Sequence, residues 1–297
     1  MTYLVNVSGL ANPVLPSRDQ VSEVGYLKYL FSVFVFLILI FTIQFSNSAS
    51  AAGGLVVTPQ LVELDSRNRN TVLTLANRGN KVETYRISII NYRMDEQGNL
   101  FQIDTPSGVE AFANGLFRYA PRQITLKPGT PQTVRVLYRR PADLKDGEYR
   151  SHLLFQQVPD TKPQTSDNSN VAGISVEIKT IFGISIPVIV RHGALTGSGQ
   201  LAELKPIDRN DGEKAISLRI KRSGNQSLRG DLVALSEGNE VGRLNNVAVY
   251  LSTSYRDIEV PLASEKLLSL AGKKIDVEYR PRKGKTGPII TSSLTLP

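Results

Sequence analysis

Gly173 to Arg191 reads GISVEIKTIFGISIPVIVR, and its side chains alternate in character along the whole run. Ile174, Val176, Ile178, Thr180, Phe182, Ile184, Ile186, Val188 and Val190 fall on one face, and all but Thr180 are apolar. That is the period-two pattern of a β-strand with one buried side. The run exceeds the roughly five or six residues that one sheet usually takes from a strand. Toward Pro187 the other face also turns partly apolar, through Ile181 and Ile189, as expected where a strand passes into a core or between domains. Two uses compete for such a strand. It fills the core of its own sheet, or part of it lies at a sheet edge and offers side chains to a partner that lacks a strand. Long apolar edges are normally blunted by charge, proline or short length, so retaining one implies use.

Outward from this strand the same alternation recurs in short blocks. LVVTPQLVEL (55–64), TVLTLAN (71–77), YRISIINY (85–92), QTVRVLY (132–138) and RSHLLFQQV (150–158) precede it. AISLRIKRSG, DLVALSEG, VAVYLST, RDIEVPL, KIDVEYR and IITSSLTL follow. The separators Asn77-Arg78-Gly79-Asn80, Asp95-Glu96-Gln97-Gly98-Asn99, Lys127-Pro128-Gly129 and Asp146-Gly147 are turns by residue type. Beyond the N-terminal region no 3.6-residue stripe appears. The class is therefore all-β, with about seven strands before residue 191 at sandwich-like spacing. Residues 158–173, VPDTKPQTSDNSNVAG, read as a long polar loop. His192 to Gln200, HGALTGSGQ, reads as a small, flexible boundary. The expected division is 1–51, 52–191 and 192–297.

The first of these is a secretory signal peptide by its order: Lys28, the apolar run Tyr29 to Phe45, then Ser46-Asn47-Ser48-Ala49-Ser50-Ala51. Ala49 and Ala51 occupy the small positions before a cleavage point, which places the mature start near Ala52 or Gly53. The competing reading is an uncleaved anchor, since about 17 apolar residues lie at the lower edge of spanning length. The chain of 297 residues contains no cysteine, which excludes disulfide scaffolds, Cys-ligated metals and thiol nucleophiles. Its net charge is +8, and without residues 1–51 it stays +8, so the basic character belongs to the folded part. Export without cysteine fits a bacterial periplasm.

Four stretches together resemble a known family. VVTPQLVELDSRNRNTVLTLANRG (56–79) is one. Tyr119-Ala120-Pro121-Arg122, leading to Leu126-Lys127-Pro128-Gly129 and Gln132-Thr133-Val134-Arg135, is the second. Leu144-Lys145-Asp146-Gly147-Glu148-Tyr149-Arg150, with Val158-Pro159 ten and eleven residues after the glutamate, is the third. The alternating strand ending at Arg191 is the fourth. In this order they resemble the periplasmic pilus-assembly (fimbrial) chaperones, across nearly all of the sequence after the signal peptide. The resemblance implies two immunoglobulin-like β-sandwich domains in an L-shaped arrangement. It implies a pilus or similar surface-fibre subunit as partner, an outer-membrane usher as a second, and no cofactor.

The implied mechanism is donor-strand complementation, in which the last strand of the first domain lends apolar side chains to a subunit whose sandwich is incomplete. The donor face carried over is Ile174, Val176, Ile178, Thr180, Phe182 and Ile184. Family members hold the subunit's terminal carboxylate with a basic pair, and the corresponding positions here are Gln60 and Ser185, neither of them basic. Arg191 and Lys179 are the remaining candidate cations. The alternative is an exported immunoglobulin-like adhesion or carbohydrate-binding protein, because a fold does not fix a function.

An enzyme is not expected. Ser151 and His152 are adjacent in a strand, so they point to opposite faces and cannot pair. His192 reads as a solvated boundary residue. Asp143, Asp146 and Glu148 lie close together without the spacing of a calcium loop, and read as a turn. Nucleic acid is not expected as a partner, since the basic residues are scattered behind a signal peptide.

Overall fold

The computed structural model describes residues 54–159, 180–209, 213–263, 270–282 and 288–297. The expected signal peptide and most of the polar loop lie outside the described residues. So do Ile174, Val176, Ile178 and Lys179. Every described element is a strand, and among the described residues no helix is long and apolar enough to cross a membrane.

The first sandwich is built from β1 (Leu55–Thr58), β2 (Val62–Leu64), β3 (Asn70–Asn77), β4 (Glu83–Ile90), β7 (Phe117–Ala120), β8 (Gln123–Leu126), β9 (Gln132–Tyr138), β10 (Gly147–Gln157) and β11 (Gly183–His192). Its two sheets run in the orders β1-β3-β9-β7 and β2-β11-β10-β4-β8. A hairpin of β5 (Tyr92–Met94) and β6 (Leu100–Gln102) stands apart from both. LVVTPQLVEL, which reads as one block, is split between the sheets. Pro59 offers no N–H to a ladder, and the chain crosses there from β1, paired with β3, to β2, paired in parallel with β11. The Lys127-Pro128-Gly129 turn is confirmed, with Gly129 at φ +69°, where a side chain would be strained.

Alternation builds the core directly. Leu73, Leu75, Val134 and Val136 of one sheet are buried in the same cluster as Leu153, Phe155, Ile186, Val188 and Val190 of the other. Burying each such side chain contributes roughly 1.5–3 kcal/mol. The expected count of about seven strands before residue 191 falls short of the eleven that begin there, because LVVTPQLVEL divides into β1 and β2, β5 and β6 have three residues each, and β7 and β8 have four each. The last two hide in a stretch that shows turn chemistry.

The second sandwich comprises β12 (Gly197–Asp208), β13 (Lys214–Gly224), β14 (Leu228–Ser236), β15 (Asn239–Val249), β16 (Tyr255–Pro261), β17 (Lys274–Pro281) and β18 (Ile290–Thr295). The sheet orders are β12-β13-β16 and β15-β14-β17-β18, around Ile216, Leu218, Ile220, Leu232, Val260, Ile275 and Val277. His192 to Gln200 is not one flexible boundary. His192 closes β11, and Gly197-Ser198-Gly199-Gln200 opens β12, pairing with Gly224 to Lys221. Small residues mimic a linker in sequence, yet the ladder of β13 supplies the hydrogen bonds.

Ala52–Pro297 forms one compact unit. Where the two sandwiches meet, Met94, Ile189, Ala248 and Tyr250 bury a small apolar cluster, with Leu61 packed against it. Polar ties surround it. The Arg150 guanidinium stacks 3.7 Å from the Tyr250 ring, and the backbone N–H of Ser227 donates to Glu148 Oε2 at 3.3 Å.

Candidate functional site

Pairing decides what β11 can offer. β10 runs antiparallel to it along its full length, from Gln156 opposite Gly183 to Gly147 opposite His192. On its other side β2 covers only Val188, Ile189 and Val190. From Gly183 to Pro187 the outer edge of β11 therefore has no strand beside it among the described residues. Pro187 sits just before the covered stretch, in keeping with the confinement of proline to strand edges.

The long alternating face is divided between two roles. Ile186, Val188 and Val190 are buried in the first sandwich's own core, and Ile184 packs on it half-buried. The lower half differs. Thr180 is exposed, as are Ile181 at 50% and Phe182 at 40%. The Phe182 carbonyl still accepts from the Gln157 N–H at 2.9 Å, so the ladder with β10 extends to it. The strand was expected as one element from 174; the described strand begins at Gly183. Of the six donor-face positions the structure places Thr180, Phe182 and Ile184. Two are outside the core and one is at its rim.

The anchoring positions are differently disposed. Gln60 is exposed in the bend ahead of β2, and Ser185 is half-buried on the open stretch of β11. The parallel register puts both at the same end of the β2 and β11 ladder. Arg191 is engaged elsewhere: its Nε donates to Glu148 Oε2 and its Nη1 to Glu63 Oε1, both at 2.9 Å. Burial alone would lower the Arg191 pKa, but the two carboxylates raise it above its ordinary value. The cation is thus committed to holding β2, β10 and β11 together. A cleft of about 300 Å³ between the sandwiches is bordered by Arg191, Glu63, Ser227, Arg229 and Arg282.

The remaining polar candidates have structural partners. Ser151 Oγ faces the interior, 2.7 Å from Asn91 Oδ1 and 2.9 Å from Asn114 Oδ1, and accepts from the Ala113 N–H. His152 points the other way, its ring edge-on to Tyr92 at 4.9 Å. Burial, and then the charges of Arg150 and Arg229, push its pKa down to about 3, so it is neutral. His192 Nε2 lies 4.0 Å from Asp146 Oδ1 and is half-buried, not solvated. Asp146 Oδ2 accepts from the Ala194 N–H, while Glu148 belongs to the Arg191 pair, so the acidic trio is dispersed among separate tasks. Among the described residues no group of three or more His, Asp or Glu could hold a metal ion.

Sequence reasoning missed Arg150 and Tyr250 as a contact. The available signal was Glu148, Arg150 and His152, three polar residues in succession on the outward face of a strand whose inward face is core.

No family model matches the chain, and no curated protein matches it. Among solved structures it is similar to the CsuC–CsuE chaperone–tip adhesion subunit pre-assembly complex of the archaic chaperone-usher Csu pili of Acinetobacter baumannii. That match has 14% identity over 80% of this chain and 97% of the other, with a TM-score of 0.44. It is also similar to the complex of the SafA pilin with the SafB chaperone of Salmonella enterica, at 12% identity over 83% and 99%, TM-score 0.42. The chaperone DraB of E. coli gives 14% identity over 81% and 98%, TM-score 0.40.

Proposed function

We propose that the chain is a periplasmic chaperone that binds and stabilises pilus or similar surface-fibre subunits by donor-strand complementation. The observation that carries this reading is the outer edge of β11 from Gly183 to Pro187, uncovered among the described residues and preceded by exposed Ile181 and Phe182. The four sequence stretches that resemble the fimbrial chaperones support it. A subunit lacking a strand would pair with this edge. Main-chain hydrogen bonds supply affinity without regard to sequence, and every second side chain supplies the fit. The donated residues are Ile174, Val176, Ile178, Thr180, Phe182 and Ile184. Ile186, Val188 and Val190 keep the other end of the strand in its own core. An outer-membrane usher is the second partner, the apolar run from Tyr29 to Phe45 directs export, and no covalent step is involved.

The test is affinity purification from periplasm of cells expressing candidate subunits, with mass spectrometry of what accompanies the chain. A stoichiometric small β-sandwich subunit is expected with the native sequence and is lost with Ile178→Asp combined with Phe182→Asp. A folded double variant that still captures its subunit overturns the donor-strand assignment. Recovery of the native chain alone points instead to an adhesion or carbohydrate-binding protein.

A further inference from the structure

We infer that the β5–β6 hairpin is a strap that fixes the second sandwich on the first, so that the cleft between them is set before any partner binds. The inference is independent of the strand-donor reading. Relative motion is the default for two domains unless their interface is large and apolar. Here the buried apolar joint is four residues, Met94, Ile189, Ala248 and Tyr250. Beside it Glu148 ties the sandwiches through the Ser227 N–H and Arg150 stacks on Tyr250, and attachments gathered at one place permit pivoting.

The hairpin adds a second attachment, at the turn between β15 and β16 and on β16 itself. Ser252 Oγ donates to the Met94 carbonyl at 2.9 Å and accepts from the Met94 N–H at 3.2 Å. The Asp257 N–H donates to the Glu96 carbonyl at 2.7 Å. That bond lies on the outer edge of β16, because β13 occupies the other side. The turn between the hairpin strands is braced from within, since Asp95 Oδ1 accepts from the N–H groups of Asn99 and Gln97. Gly98, at φ +89°, rests on the Arg256 guanidinium so closely that a Cβ would overlap it. Arg256 has little room to withdraw, for its Nη1 donates to the Ala248 carbonyl at 3.0 Å. Each tie joins the hairpin to a residue of the second sandwich, and together with Glu148 they remove the pivot.

The chain lacks cysteine, so Thr133→Cys and Ser293→Cys place spin labels at exposed sites, one on each sandwich, without background. Electron double resonance on the full chain should give one narrow distance distribution. Ser252→Ala with Gly98→Val should widen it by roughly twofold or more while far-ultraviolet dichroism stays unchanged. Phe101→Ser, exposed on the hairpin and outside these contacts, should leave it narrow. A broad distribution in the native sequence, or an unchanged width in the folded variant, overturns the inference. If the double variant does not fold, Ser252→Ala alone decides, widening in support and constancy against. Exchange of the Asp257 amide gives a second reading: protection is expected, and exchange at the rate of a free edge amide overturns the strap.

Discussion

The edges of the second sandwich and the edge of β11 are treated in opposite ways. β12 and β15 are long edge strands, and each carries a bulge. Two residues of β12, Glu203 and Leu204, oppose one of β13, with Glu203 at φ +56°. Asn246 of β15 sits at φ +58° in a second bulge, its N–H donating to Asp231 Oδ1 at 2.8 Å. The third edge, β16, gives one of its outward N–H groups to the hairpin turn. A bulge twists the edge and interrupts its row of donors and acceptors, which deters pairing with another chain. β11 between Gly183 and Pro187 has neither bulge nor cover among the described residues, and apolar side chains precede it. Apart from β18, whose ladder with β17 shows no bulge, the edges of the second sandwich carry a bulge or a bonded partner, whereas this stretch of β11 carries neither among the described residues.

The sharpest way to break the comparison lies within β11 itself. Val188→Asp places a charge in a fully buried site, and a loss of more than about 4 kcal/mol is expected, enough to abolish a cooperative thermal transition. Phe182→Asp, six residues away on the same face, should change stability by no more than about 0.5 kcal/mol yet abolish subunit capture. If both variants unfold alike, the lower half is core and the edge is not open.

Next in size is the anchor at the other end of the strand. The Glu148 side chain is only 2% exposed and serves both Arg191 and the Ser227 N–H. Its removal leaves Arg191 paired with Glu63 alone and the buried Ser227 N–H without this acceptor, a loss of about 1–3 kcal/mol. Glu148→Ala should therefore lower the denaturant midpoint. A loss below about 1 kcal/mol would mean that β11 is held without this anchor.

His152 tests the same support from the side of β10, where it lies opposite Pro187 of β11. Its folded pKa of about 3 is below the unfolded value near 6.5, so the unfolded chain takes up a proton that the folded one refuses. The stabilisation is complete above about pH 6.5 and is lost as pH falls toward about 3, amounting to about 2 kcal/mol between pH 7 and pH 5. Denaturant titrations across that range should show this slope, and His152→Gln should remove it. A native protein with no slope there would mean that the imidazole is protonated in place.

Much of this was legible in the chain. The alternation of Ile184 to Val190 identified a buried face, and QTVRVLY and KIDVEYR became strands as their period predicts, whereas LVVTPQLVEL broke at Pro59 into two strands of different sheets. Gly197-Ser198-Gly199 concealed the start of β12, since residues without bulky side chains carry no periodic signal. The hairpin was read as a turn alone, because three-residue strands on either side of Asp95 to Asn99 are too short to show alternation. The ties at the joint were invisible for a different reason. Glu148 and Ser227, or Met94 and Ser252, are distant in sequence, and only the folded chain brings them together. The apolar period of the run from Ile174 was plain in the chain, but it could not say whether β2 would extend far enough to cover Gly183 to Pro187.

The smallest effect concerns the bulge of β12. Glu203→Gly relieves a left-handed conformation that costs roughly 1 kcal/mol. It also forfeits a half-exposed ion pair with Arg219, 3.0 Å away and worth about 0.2–1 kcal/mol. Glycine adds an entropic cost of roughly 0.5–1 kcal/mol, so the net change in stability should be close to zero. Deleting Glu203 is a different perturbation, because one residue would then oppose one and the edge would become a continuous row of pairing groups. If bulges are what separate β12 from β11, the deletion variant should remain folded and self-associate, seen as a concentration-dependent rise in sedimentation coefficient. Glu203→Gly, which keeps the bulge, should not. A deletion variant that stays monomeric would show that β12 is protected by its contact with β18, and the contrast with β11 would then rest on coverage alone.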